Sequence, residues 1–188
     1  MALLIVGLIL FLGIHGFTTL RVPRAALVGR LGEGPYKGLY SIVSAVGLVL
    51  IVWGFARYRH TAYLQIWTPP AALHPVVLLL MWFAFVALAA AYFPTGWIKG
   101  TLRHPMLVGI KAWALAHLLA NGDLGALLLF GSFLAWAVYD RIAVKRRGEA
   151  GAARSGFGAG DGIALAVGSA AYAAMFWLHP LLIGVPIG

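Results

Sequence analysis

Apolar residues arrive along this chain in long runs, and polar residues crowd into the gaps between them. A bilayer span takes roughly 20 predominantly apolar residues. Six stretches meet or approach that length: 2–20, 39–56, 74–93, 105–120, 124–139 and 162–183. The third follows the Pro69-Pro70 break, the fourth is short, and the sixth is interrupted late by His179-Pro180. The pattern predicts an all-α, polytopic transmembrane helix bundle of about six spans, forming one domain over residues 1–188.

Composition supports the same class. Of 188 residues 62% are hydrophobic and 10% charged, where a soluble domain carries about 25% charged residues. The first run lacks a basic leader and a clear small-residue cleavage site, so it is expected to be a retained span.

The net charge of +9 does not point to nucleic acid, because its placement is topological. Segment 20–38 holds Arg21, Arg24, Arg30 and Lys37. Segment 94–104 holds Lys99 and Arg103, and segment 140–161 holds Arg141, Lys145, Arg146, Arg147 and Arg154. The alternate side has only Arg57 and Arg59, while Lys111 lies inside the fourth run. The positive-inside rule then predicts three basic cytoplasmic loops and both termini outside. The Gly/Ala-rich tract within 147–160 is expected to be a flexible cytoplasmic loop. Segment 63–70, YLQIWTPP, suits the outer interface, and segment 31–40, LGEGPYKGLY, suits a turn followed by a helix start.

Cysteine is absent, which excludes disulfides, thiolate catalysis and covalent c-type haem attachment. Metal chemistry would fall to His, Asp, Glu or backbone groups.

The densest candidate chemistry is LRHPMLVGIKAWALAHLLANGD, residues 102–123. Ionisable groups inside a membrane are costly and usually mark function. His117 is about 18 Å beyond Pro105 by helical rise, with Trp113 and Asn121 four residues to either side on the same face. Asn121 is placed to orient the imidazole. His15 is the second deep histidine, near the end of the first run. Imidazoles from two helices can hold a non-covalent haem b iron or form a proton relay. Arg103 and His104 make a basic pair at the start of the fourth helix, suited to lipid headgroups or a cofactor anion. Lys111 can snorkel or meet an acid such as Asp140. Asp123 suits an N-cap, and His60, His74 and His179 sit at run boundaries.

The chain resembles the NnrU family of bacterial integral membrane proteins. The blocks that carry the resemblance are GIHGFTTLR, LGEGPYKGLYSIVSAVGLVLIVWG, IWTPP, RHPMLVGIKAWALAHLLANGD and LLFGSFLAWAVYDRIAVKRR. That resemblance implies a multi-pass protein of the bacterial inner membrane. NnrU proteins are in turn similar to 15-cis-zeta-carotene isomerases, which share the IH…LR element and RHPxxxGxxxWxLAH. This second resemblance implies a haem b with two histidine ligands, placed by motif position on His15 and His117. Trp113 and Asn121 would shape the haem side of the helix, and Arg103, His104 or Lys111 would pair with the haem carboxylates. Ala114 stands where the isomerase has a cysteine implicated in alternative iron ligation. The expected function is redox-dependent cis–trans isomerisation of a polyene, with the lipid bilayer as setting, an unidentified electron donor, and no nucleic acid. The first alternative is a non-catalytic haem redox or nitric oxide sensor, or a factor associated with denitrification. The second is a membrane S-adenosylmethionine-dependent methyltransferase, whose members the RHP element also resembles. Those enzymes carry a downstream acidic pair, where this chain has DRIAVKRRGE.

Overall fold

The computed structural model describes residues 1–185 and residue 187. Among the described residues eight α-helices account for the fold: α1 (Ala2–Phe17), α2 (Arg21–Leu31), α3 (Glu33–Thr61), α4 (His74–Tyr92), α5 (Trp97–Leu102), α6 (Pro105–Ala120), α7 (Leu124–Arg146) and α8 (Ala159–Ile183). Among the described residues the only strand-like pairing is an isolated bridge between Gln65 and Asp123. The all-α class is therefore what the structure has.

Among the described residues four helices are long and apolar enough to cross a membrane, and a fifth candidate arises if the bent pair α1–α2 counts as one span. α6 has 16 residues, which at 1.5 Å each is about 24 Å, short of a hydrocarbon core of about 30 Å. Pro105 opens it and the Asn121-Gly122 turn closes it. α3, with 29 residues, is longer than its apolar run, because its polar ends at 33–38 and 57–61 stay helical.

Two connections expected as plain loops contain helices. α2 lies within segment 20–38 and turns 91° from α1. α5 lies within 94–104, and the buried Asp161 of α8 fixes its start. The Asp161 carboxylate accepts N–H bonds from Trp97 (2.9 Å), Ile98 (2.7 Å) and Gly158 (2.9 Å), so one side chain caps two helices. Asp123 caps α7 as the sequence suggests, accepting from the Ala126 N–H at 2.9 Å.

α1 and α3 cross closely because glycine lines the crossing. A Cβ at Gly7 would stand 2.6 Å from the Ile51 nitrogen, one at Gly47 2.8 Å from the Phe11 nitrogen, and one at Gly54 2.3 Å from the Leu4 nitrogen. In lipid, helices gain little from apolarity alone, so such close backbone approach is a main source of association. α4 packs on α6 and α8, and α6 on α7. The core gathers Leu4 and Leu8 of α1, Ile51 of α3, Ala114 of α6, and Ala126, Leu129 and Phe130 of α7.

At the end away from the basic loops, segment 64–67 pairs with the turn before α7. Ile66 N–H donates to the Gly122 carbonyl at 2.8 Å and Leu124 N–H to the Leu64 carbonyl at 2.9 Å. The fully buried Tyr58 braces this pairing by accepting from Leu64 N–H at 3.0 Å.

Candidate functional site

The helices place His15 and His117 at the two ends of a run of touching aromatic rings. His15 is two residues from the end of α1 and is ringed by Phe11 (centroids 4.3 Å), Tyr40 of α3 (5.3 Å) and Trp136 of α7 (5.8 Å). His117 stacks on Phe130 at 4.3 Å and meets Trp113 at 5.2 Å. Phe133 touches both Phe11 (5.7 Å) and Trp113 (5.4 Å) and so bridges the two clusters.

α7 provides a ruler between them. Phe130, Phe133 and Trp136 recur every third residue along one stripe. His117 meets the first and His15 the last, six residues on, which is an axial offset of about 9 Å at 1.5 Å per residue. The two rings are thus linked by a contiguous aromatic path, from His15 through Phe11, Phe133 and Trp113 to His117.

Their chemistry is nevertheless alike. His15 Nδ1 bonds the Phe11 carbonyl at 2.6 Å, and His117 Nδ1 bonds the Trp113 carbonyl at 2.9 Å. A carbonyl only accepts, so Nδ1 carries the proton and Nε2 is left as the lone-pair nitrogen. Metal-binding histidines are commonly oriented in this way. Asn121 does not reach the imidazole: its side-chain amide donates to the His117 carbonyl at 2.9 Å and closes the end of α6. Trp113 packs against the core, and Ala114 is fully buried beneath it.

On its other side His117 faces an apolar cavity of about 310 Å³ between α4, the end of α6 and α8. Met81 and Phe85 of α4, Tyr172, Met175 and His179 of α8, and His74 contribute to its wall. No lining residue carries a carboxylate, ammonium or guanidinium among those described. Its chemistry suits a neutral, largely apolar ligand, with imidazole, phenol and amide groups to orient it. His74 and His179 enter this wall although each marks only a run boundary in the sequence. Among the described residues, no three His, Asp or Glu side chains converge as a metal cluster.

Arg103, His104 and Lys111 are elsewhere. Arg103 holds φ +60 and ψ −45, and His104 N–H reaches back to the Leu102 carbonyl at 2.7 Å. That is a γ-turn of the rare positive-φ kind, a strained conformation for a residue with a Cβ. Segment 150–152 clamps it: Ala152 N–H donates to the Arg103 carbonyl at 2.9 Å, and a Cβ on Gly151 would stand 2.5 Å from that oxygen. His104 Nε2 is buried beside Gly151 without a partner among the described residues. The titratable groups around the Asp140 carboxylate include Arg147, Glu149, His104 and His15. Lys111 joins no ion pair among the described residues, so the Asp140 partnership expected for it is not formed.

The basic end is drawn together by Glu149, which pairs with Arg21 of α2 and with Arg147 at 2.9 Å. The Arg147 and Arg21 guanidiniums hold the Glu149 carboxyl below its ordinary value of 4.5.

These features define a class: an all-helical protein with helices of membrane length and two aromatic-caged imidazoles between them. The chain belongs to the NnrU family, whose model, described as NnrU protein, matches residues 3–187. No curated protein and no solved structure matches the chain.

Proposed function

We propose that this chain is a haem b protein of the bacterial inner membrane, with six helical passes, both termini outside and the basic loops in the cytoplasm. One observation carries the haem reading: His15 and His117 each commit Nδ1 to a carbonyl of their own helix and keep Nε2 as a base. That donor set would suit two histidines holding a non-covalent haem, and the surrounding Phe11, Trp113, Phe130 and Phe133 rings would pack against a flat macrocycle. His15 of α1 and His117 of α6 would be the two residues that hold the iron. An iron held there would supply a one-electron redox change beside the apolar cavity at His117.

The cavity supports a neutral hydrophobic substrate, and polyene cis–trans isomerisation is the reaction we assign to it. His117 would position the iron side of the cavity, and the Met and Phe wall would exclude water from a long unsaturated chain. No proton needs to be exchanged with the apolar wall for a double bond to rotate.

The test is a visible spectrum of the protein purified in detergent from haem-replete cells. A Soret band with sharp reduced α and β bands, lost in both His15→Ala and His117→Ala, supports two-histidine ligation. A colourless wild-type protein overturns the haem reading. Adding a 15-cis polyene to the reduced protein then tests catalysis, where an unchanged isomer ratio overturns the isomerase assignment.

A further inference from the structure

A second site lies at the other face of the His15 cage, where α2 turns away from α1. A pocket of about 250 Å³ is lined by Thr18, Arg24, Tyr36, Lys37 and Tyr40. It joins the end of α1, the first turn of α2 and the first turns of α3. Tyr36 is 5% exposed, yet its hydroxyl is buried with no hydrogen-bond partner among the described residues. A buried hydroxyl left unpaired is unfavourable and normally signals a missing partner. The Arg24 guanidinium lies 5.6 Å from the centre of the Tyr36 ring, so a cation faces the same phenol.

The charge at this pocket is positive but incompletely balanced. Lys37 Nζ pairs with Glu33 at 2.7 Å, an exposed i,i+4 contact that a ligand can replace. Arg24 joins no ion pair among the described residues. The set comprises two cations, one carboxylate at the rim, an orphan hydroxyl, and the Thr18 and Tyr40 side chains. Tyr40 also touches His15, with ring centroids 5.3 Å apart.

We infer that this pocket is an oxyanion site, taking a phosphate or carboxylate group at the basic face. Arg24 and Lys37 supply the charge, and the Tyr36 hydroxyl donates the fixed hydrogen bond that orients the oxyanion. Two sources share this chemistry. One is the phosphate of an anionic phospholipid, since α2 leaves α1 at a right angle, as a helix lying along a membrane interface does. The other is a haem carboxylate reaching from the His15 side. The phospholipid source is independent of the haem reading, and the carboxylate source rests on it.

The experiment uses the full chain in detergent, with Arg24→Gln, Tyr36→Phe and, as control, Arg30→Gln on the same helix but outside the pocket. Native mass spectrometry titrates phosphatidylglycerol against phosphatidylcholine. Haem and its dimethyl ester are titrated separately by absorbance. Loss of a charge-assisted hydrogen bond corresponds to about tenfold weaker binding. A phospholipid site predicts that loss for phosphatidylglycerol in Arg24→Gln and Tyr36→Phe, with Arg30→Gln unchanged. A haem-carboxylate site predicts weaker haem binding in the same two variants, and no such difference with the dimethyl ester. Glu33→Gln should tighten either ligand, because it removes the rim carboxylate. If the pocket variants match Arg30→Gln for both phosphatidylglycerol and haem, the inference fails. A wild type that binds no haem at all refutes the haem reading alone and leaves the phosphatidylglycerol comparison decisive.

Discussion

The His117 imidazole lies on the Phe130 ring, with centroids 4.3 Å apart and planes inclined by 24°. Phe130 is 6% exposed and also meets Trp113 and Phe55, so it is shared by α3, α6 and α7. Phe130→Ala should cost about 3 kcal/mol, near the low end for a buried Phe, because in lipid the loss is of packing more than of apolar transfer. Thermal unfolding in detergent measures it, and Phe130→Leu should recover much of the loss. A melting temperature unchanged by Phe130→Ala would show that the stack is incidental.

The α1–α3 crossing makes a sharper demand. A Cβ at Gly54 would stand 2.3 Å from a backbone atom of Leu4, which cannot rotate away. Gly54→Val should therefore destabilise by about 1–3 kcal/mol through overpacking. Gly13→Ala, on α1 but facing open space, should be nearly neutral by the same measurement.

Asp161 and Asp123 separate one cap from two. Asp123→Ala removes a single bond to Ala126 and should cost about 1 kcal/mol. Asp161→Ala strips acceptors from Trp97, Ile98 and Gly158 together and should lower the melting temperature further than Asp123→Ala. Hydrogen exchange should rise at residues 97 and 98 in that variant and not in Asp123→Ala.

The Glu149 cluster sets an acid limit on the basic end. Its folded-state pKa is depressed by Arg147 and Arg21, so its contribution is complete above about pH 4.5 and is lost as pH falls through the lower folded value. Limited proteolysis within 147–160 should accelerate over that acid range. Glu149→Gln should show the fast rate already at pH 7. Equal rates for wild type and variant at pH 7 would mean that the pairing does not hold the segment.

Much of the fold is legible in the sequence because apolar run length and helix punctuation report on the same elements. His74-Pro75 opens α4 where the run begins, and Asn121-Gly122-Asp123 separates α6 from α7 as turn chemistry dictates. α2 is less legible: Arg21, Arg24 and Arg30 read as loop charge, while its helicity depends on a right-angle turn that local hydropathy does not encode. α5 depends on Asp161, a residue 64 positions away from Trp97, which no local window contains. The site divides the same way. The i,i+4 pairs Phe11–His15 and Trp113–His117 are visible in the sequence, and so is the Phe130–Phe133–Trp136 stripe. That the stripe faces both histidines depends on how α7 packs, and that His74 and His179 share a wall with His117 depends on α4 and α8. Asn121 shows the limit of face-sharing as a guide, since it lies on the His117 face but bonds the backbone.

The α7 stripe gives that helix the character of a camshaft. Phe130 bears on the surroundings of His117 and Trp136 on those of His15, and both are rigidly mounted on one rod. A rotation of α7 by even a fraction of the 100° between successive residues would lift one ring from its imidazole while pressing the other. Any rotation of α7 would therefore be felt at both imidazoles at once, with no hydrogen bond between them.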